Sequence, residues 1–152
     1  FLFLSIIFFS CTSKKSNNCK LFLECLDRTV WKITTWTFSQ YNVFINDPKG
    51  LYMLQYEMYN NSPICREFSF NKKEFKQNKL EMSTKLLGGD ARFIWNQNEI
   101  YCTYKNNLRT ENITFYRSSI KELKASIGNR TGCNINIILK SSGKKNIFFV
   151  SV

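Results

Sequence analysis

The sequence predicts an all-β domain from three observations. Of 152 residues, 14 are Phe, 7 are Tyr and 3 are Trp, a content that suits strands better than helices. Short β-branched and aromatic runs recur between turn residues, at the spacing of an antiparallel sandwich or barrel. The links between those runs are short, so successive strands read as a meander. A chain of this length forms one domain and buries a core without help from a metal.

Eight strands are expected, at 29–38, 41–45, 51–59, 64–70, 80–87, 91–95, 99–105 and 112–117. The run from Thr29 to Phe38, TVWKITTWTF, is β-branched and aromatic. Tyr41 to Ile45 is closed by Asn46-Asp47-Pro48-Lys49-Gly50, where Pro sets φ and Gly can take a positive φ. From Leu51 to Tyr59 the pattern alternates: Tyr52, Leu54, Tyr56 and Met58 share one face. Asn60-Asn61-Ser62-Pro63 turns the chain into Ile64–Phe70, and the charged stretch 71–78 reads as a loop. Leu80 to Leu87 stops at Gly88-Gly89-Asp90. Ala91, Phe93 and Trp95 then share a face, as do Ile100, Cys102 and Tyr104 in the following run.

The period changes after Arg117. Ser119-Ile120-Lys121-Glu122 has capping-box spacing, and Ile120, Leu123 and Ile127 lie at i, i+3 and i+7 before Gly128. One short helix is predicted there. The end of the chain, 135–140 and 146–152, reads as a hairpin across Ser141 to Lys145. Trp31, near the start of the first strand, is expected to be a packing residue that plugs the barrel end and not a binding residue.

Little in the sequence points to catalysis. There are no His residues, which removes Ser–His and Cys–His nucleophiles and the commonest general base. Two Ser-x-x-Lys spacings, Ser118–Lys121 and Ser141–Lys144, fall in polar surroundings that would not desolvate the Lys. No carboxylate pair or phosphate loop is evident. With neither His nor a CxxC, no metal site is expected, and no cofactor is implied. Sequons at Asn60, Asn112 and Asn129 arise easily in an Asn-rich chain. Lys and Arg number 22 against 11 Asp and Glu, a net charge of +11. That charge reads as a solvated basic surface, or as attraction to an anionic partner.

The opening stretch, FLFLSIIFFSC, is apolar up to Cys11 and then turns polar at once. It has the length of a signal h-region and is too short to span a bilayer. With no Met and no basic segment before it, a longer precursor is expected. Phe8-Phe9-Ser10-Cys11 resembles a bacterial lipoprotein cleavage box, in which Cys11 becomes the lipidated first residue. An ordinary secretory signal and the end of a membrane helix are the alternatives. The resulting layout is a signal over 1–10, a lipidated flexible tether over 11–20 and a β-barrel domain over 21–152.

Leu23-Glu24-Cys25-Leu26-Asp27-Arg28-Thr29-Val30-Trp31 resembles the opening of small lipocalin-like lipoproteins of Bacteroidetes-type bacteria. Arg28 stands where that family usually has Gly. The resemblance runs on through Asn112-Ile113-Thr114-Phe115-Tyr116-Arg117-Ser118-Ser119 to Cys133. It implies an eight-stranded antiparallel up-and-down barrel with one short helix near its C-terminal end. It also implies a disulfide between Cys65 and Cys133, and strand placement suggests Cys25–Cys102 as a second. Eight strands can close and remove sheet edges, and they enclose side chains or one small ligand. Tyr52, Tyr56, Phe93, Trp95 and Tyr104 are candidate pocket-lining residues, or core.

The function expected is a non-catalytic lipoprotein anchored through Cys11 in the bacterial envelope. It would sit at the outer membrane, on the periplasmic side or the cell surface. Its ligand would be a small apolar molecule or an anionic envelope component, with no nucleic acid. The main alternative is a basic OB-like barrel binding nucleic acid or another polyanion by aromatic stacking. Inhibition of a cell-wall hydrolase is a weaker option, because a basic chain would repel a basic lysozyme.

Overall fold

The computed structural model describes residues 19–34, 38–48, 50–59 and 62–127. They form one curled antiparallel sheet of nine strands, a half-barrel, with two short helices. The elements are α1 (Phe22–Leu26), β1 (Val30–Thr34), β2 (Ser39–Asp47), β3 (Gly50–Tyr59), β4 (Ser62–Ser69), β5 (Lys76–Gln77), β6 (Glu81–Leu86), β7 (Gly89–Asn96), β8 (Glu99–Lys105), β9 (Thr110–Arg117) and α2 (Ile120–Ile127). The spatial order is β4-β3-β2-β1-β9-β8-β7-β6-β5.

The all-β expectation holds, and the strand count is corrected from eight to nine. The extra strand is β5, two residues of a lysine-rich stretch that carries no alternation. It exists because β6 offers a partner, with Lys76 opposite Ser83 and Gln77 opposite Met82. Closure is also corrected. First and last strands do meet, through Trp31–Arg117 and Lys32–Tyr116. Among the described residues β4 and β5 do not pair, so the sheet opens between them. The predicted helix at 120–127 is present, with Ser119 Oγ accepting from the Glu122 amide at 3.1 Å. The expected signal, the tether from Cys11 to Asn18 and the C-terminal hairpin lie outside the described residues.

Alternation assigns the two faces. Trp31, Phe44, Met53, Met82, Phe93, Ile100 and Phe115 point into the concave side. There α1 fills the space with Phe22, Leu23 and Leu26, each at most 1 % exposed. The helix crosses one end of the half-barrel. The Phe22 amide donates to Asn78 O at 2.6 Å, and the Asn46 amide donates to Asp27 Oδ1 at 2.8 Å. On the convex side Val30, Tyr41, Val43, Ile45, Leu54 and Tyr56 form a second core beneath Leu123 and Ile127 of α2. Lys32 Nζ binds Glu122 Oε1 at 2.7 Å and ties that helix to β1. Trp31 is fully buried, as expected of a packing residue.

Three non-glycine residues take a left-handed backbone: Arg28 (φ 57), Leu87 (φ 49) and Gln97 (φ 52). Arg28 thus occupies a backbone conformation that ordinarily favours Gly. Its guanidinium is held by Asp47 at 3.1 Å and Asp27 at 3.5 Å. Leu87 has no such compensation. It is 73 % exposed and precedes Gly88 (φ 75) in the two-residue β6–β7 turn. Positive φ at both positions defines a turn that favours Asn-Gly. Leu87→Asn should therefore raise stability by about 0.5–1 kcal/mol, measured as a higher thermal midpoint. An unchanged or lower midpoint would sink this account.

Candidate functional site

Across the concave face, just beyond the apolar core, one band crosses five strands. Register places Arg117 opposite Trp31, Trp31 opposite Asn42, Asn42 opposite Gln55, and Gln55 opposite Arg66. Adjacent strands lie about 4.8 Å apart, so the band is continuous. Its members share the parity of Phe44 and Met53, which fixes the face they occupy.

Within the band, Gln40 Nε2 donates to Asn42 Oδ1 at 3.2 Å. Arg66 Nη1 donates to Gln55 Oε1 at 3.2 Å, and its Nη2 pairs with Glu57 Oε1 at 3.1 Å. Arg117 Cζ stands 5.1 Å from the centre of the Trp31 ring. Trp31 Nε1 donates to Thr29 Oγ1 at 2.8 Å, which locks the indole as a platform.

Two groups in this band are left unsatisfied. Asn42 is fully buried, and its Nδ2 has no hydrogen-bond partner among the described residues. An orphaned buried donor of this kind costs about 1–3 kcal/mol. Arg117 has no carboxylate partner among the described residues. Desolvation holds its pKa below the ordinary arginine value. Arg117 and Asn42 stand two strands apart, on either side of Trp31, and an anionic or oxygen-rich ligand lying across the band would offer acceptors to both.

The predicted pocket residues do not come together. Phe93 lies in the concave core, with ring centres 5.5 Å from Phe44, 6.1 Å from Phe115 and 6.4 Å from Phe22. Trp95 and Tyr104 flank that core, half-buried. Trp95 Nε1 donates to Gln97 O at 2.7 Å, and Tyr104 Oη donates to Leu87 O at 3.0 Å. Tyr52 and Tyr56 instead face outward, beneath α2. Burial pushes the Tyr56 phenol up to about 12. The shared pocket is therefore corrected. Alternation grouped the two tyrosines correctly, but α2 covers their face and α1 fills the other.

The cysteine pairing is corrected as well. Cys25 bonds Cys19, with Cα atoms 5.2 Å apart, so Cys25–Cys102 does not form. Cys102 is a free, buried thiol, and burial pushes its pKa up to about 12. Cys65 is disulfide-bonded, while Cys133 and Cys11 lie outside the described residues. Sequence reasoning missed Cys19, whose only signal was its six-residue spacing from Cys25.

The convex face of β5–β8 carries an open groove of about 390 Å³ lined by Lys76, Lys85, Arg92 and Lys105 among others. Its charges are largely matched, however. Glu81 holds Arg92 through two bonds, at 2.7 and 3.0 Å, and Asp90 holds Lys85. Of the 22 basic residues, Lys14, Lys15, Lys49, Arg130, Lys140, Lys144 and Lys145 lie outside the described residues. The remaining 15 face all 11 acidic residues, so the described residues carry +4 of the +11.

Of the two Ser-x-x-Lys spacings, Ser118 Oγ donates to Glu122 Oε2 at 2.6 Å, and Ser141 and Lys144 lie outside the described residues. No group of three or more metal-ligating side chains occurs among the described residues. No family model, curated protein or solved structure matches the chain.

Proposed function

We propose that the chain is a non-catalytic, exported lipoprotein held in the bacterial outer membrane by a lipid on Cys11. Its lipocalin-like domain binds an anionic envelope component on the concave band. The observation that carries the binding reading is that Arg117 and the buried Asn42 amide, on either side of Trp31, have no carboxylate and no hydrogen-bond acceptor respectively among the described residues. The apolar interior is occupied by α1, which disfavours a small apolar ligand and favours the anionic one. Export is supported by the Cys19–Cys25 disulfide and by a disulfide-bonded Cys65, since such bonds persist in oxidising compartments. A Cys65–Cys133 bond fits this picture. Cys65 stands opposite Tyr56 on the face that α2 covers, and Cys133 follows α2 in sequence.

The binding reading is tested on the mature chain with glucuronate and glycerol phosphate as probes, by amide chemical shifts and calorimetry. Binding should weaken at least about tenfold in both Arg117→Gln and Asn42→Leu, which is the loss of one charge-assisted hydrogen bond. Asn42→Leu should leave stability within about 1 kcal/mol of the parent, because removing the unsatisfied Nδ2 offsets the loss of the bond that Gln40 donates to Oδ1. A loss of stability with unchanged affinity would make Asn42 structural and sink the site. The anchor is tested separately by the intact mass of the protein exported from a Gram-negative host. An unlipidated mass rejects it.

A further inference from the structure

The end of the half-barrel crossed by α1 gathers cations that the rest of the fold does not neutralise. Lys72, Lys73, Lys76 and Lys79 lie on the β4–β5 connection and on β5 with its following turn, and Lys20 precedes α1. All five are exposed, and none forms an ion pair among the described residues.

Hydrogen bonds from the backbone of α1 bring the segment 77–78 beside that helix. The Phe22 amide donates to Asn78 O at 2.6 Å, and the Leu23 amide donates to Gln77 Oε1 at 3.0 Å. The connection itself is built. Phe70 and Phe75 stack with ring centres 5.7 Å apart, and Asn71 Oδ1 accepts from the Lys73 amide at 3.1 Å. Two carboxylates stand nearby, Glu24, whose Oε2 accepts from the Lys20 amide at 2.8 Å, and Glu74, whose Oε2 accepts from Asn71 Nδ2 at 3.2 Å, so the five lysines leave this region with a net +3. Two leucines stand among these lysines with their side chains in solvent. Leu21 is 43 % exposed and Leu80 is 54 % exposed. Leu21 adjoins the Phe22–Asn78 bond, and the Leu80 amide donates to Asn78 Oδ1 at 2.9 Å.

We infer that this face docks on an anionic lipid surface, with the lysines against headgroup phosphates and Leu21 and Leu80 at the acyl boundary. Lysines surrounding exposed leucines match that boundary, where charge and apolar contact act together. The chain path agrees with it. Residue 19 is bonded to α1 through Cys25, on this same face. If Cys11 is lipidated, which rests on the anchoring reading above, the eight steps from Cys11 to Cys19 reach at most about 28 Å. The tether therefore keeps this face near the bilayer, where a surface charge acts only within about 8 Å at physiological salt.

The test uses the full mature chain with Cys11→Ser, so that no lipid contributes, and vesicles of phosphatidylcholine with or without phosphatidylglycerol. Co-sedimentation should show binding only to the vesicles that contain phosphatidylglycerol, and high salt should abolish it. The combined variant Lys72→Glu, Lys73→Glu, Lys76→Glu, Lys79→Glu should weaken that binding at least tenfold. Leu21→Ser with Leu80→Ser should weaken it severalfold. Lys121→Glu with Lys124→Glu, on α2, should leave it unchanged. Equal binding to both vesicle types overturns the inference. So does a loss in the α2 variant as large as in the four-lysine variant, since net charge alone would then explain it. Failure of the lipid anchor itself appears only in the intact mass, so the two outcomes are distinguishable.

Discussion

Phe93→Ala should cost about 3–5 kcal/mol of folding stability. The ring is 1 % exposed and contacts rings from α1, β2 and β9 at once. Its removal opens a cavity that three different elements would have to close, and none is free to move alone. Small domains have only about 5–15 kcal/mol in total, so the variant should unfold at much lower denaturant. Phe93→Leu keeps most of the volume and should cost much less. The pair of variants separates two roles for this aromatic residue. A ring lining an open pocket would lose affinity and little stability on truncation. A wild-type-like denaturation midpoint for Phe93→Ala would restore the pocket.

Gly89→Ala should be the most damaging single-methyl addition among the described residues. A Cβ there would lie 2.6 Å from Lys105 O and 2.7 Å from the Tyr104 ring. The first of these is a backbone atom in the β7–β8 ladder, so the strain cannot be relieved by a rotamer change. The expected cost is about 1–3 kcal/mol, at the upper end because the ladder itself must shift. Tyr104 would also lose its bond to Leu87 O at 3.0 Å. Gly50→Ala is the matched control, since its Cβ meets only the Tyr52 ring, at 3.7 Å, an ordinary contact. Urea melts of the two variants provide the comparison, and equal midpoints would refute the steric account.

Much of the sheet was legible because its strands are half-buried and alternate. The register partners Phe93 and Cys102 lie in runs whose inward residues were identified from period two alone. The helix at 120–127 was legible from its cap and its i, i+3, i+7 spacing. What failed has physical reasons. The five residues of α1, FLECL, are too short to show a helical period, and they are helical because Phe22, Leu23 and Leu26 must all enter the concave core. β2 is buried on both faces from Tyr41 through Ile45, so its pattern could not say which face was which. The candidate band was not legible either. Asn42 and Arg117 are distant in sequence, and they share one band, on either side of Trp31, only because β1 pairs with both β2 and β9.

That pairing divides the chain's folding into unequal tasks. Every other strand pair in the sheet joins neighbours in sequence, so β1–β4 and β5–β9 are two local meanders. Such contacts form fast, because little loop entropy is lost in closing them. The β1–β9 ladder spans nearly the whole described chain, yet it has only two register pairs, Trp31–Arg117 and Lys32–Tyr116. Two pairs are a weak return for that closure. Joining the meanders must therefore draw on α1, which bonds to Asn78 beside β5 and to β2 in the other meander. On this view α1 works as a clasp. On its burial alone, substitution of Phe22 should weaken both meanders' hold on one another more than it weakens either meander, since the ring sits between Phe44 of β2 and Phe93 of β7.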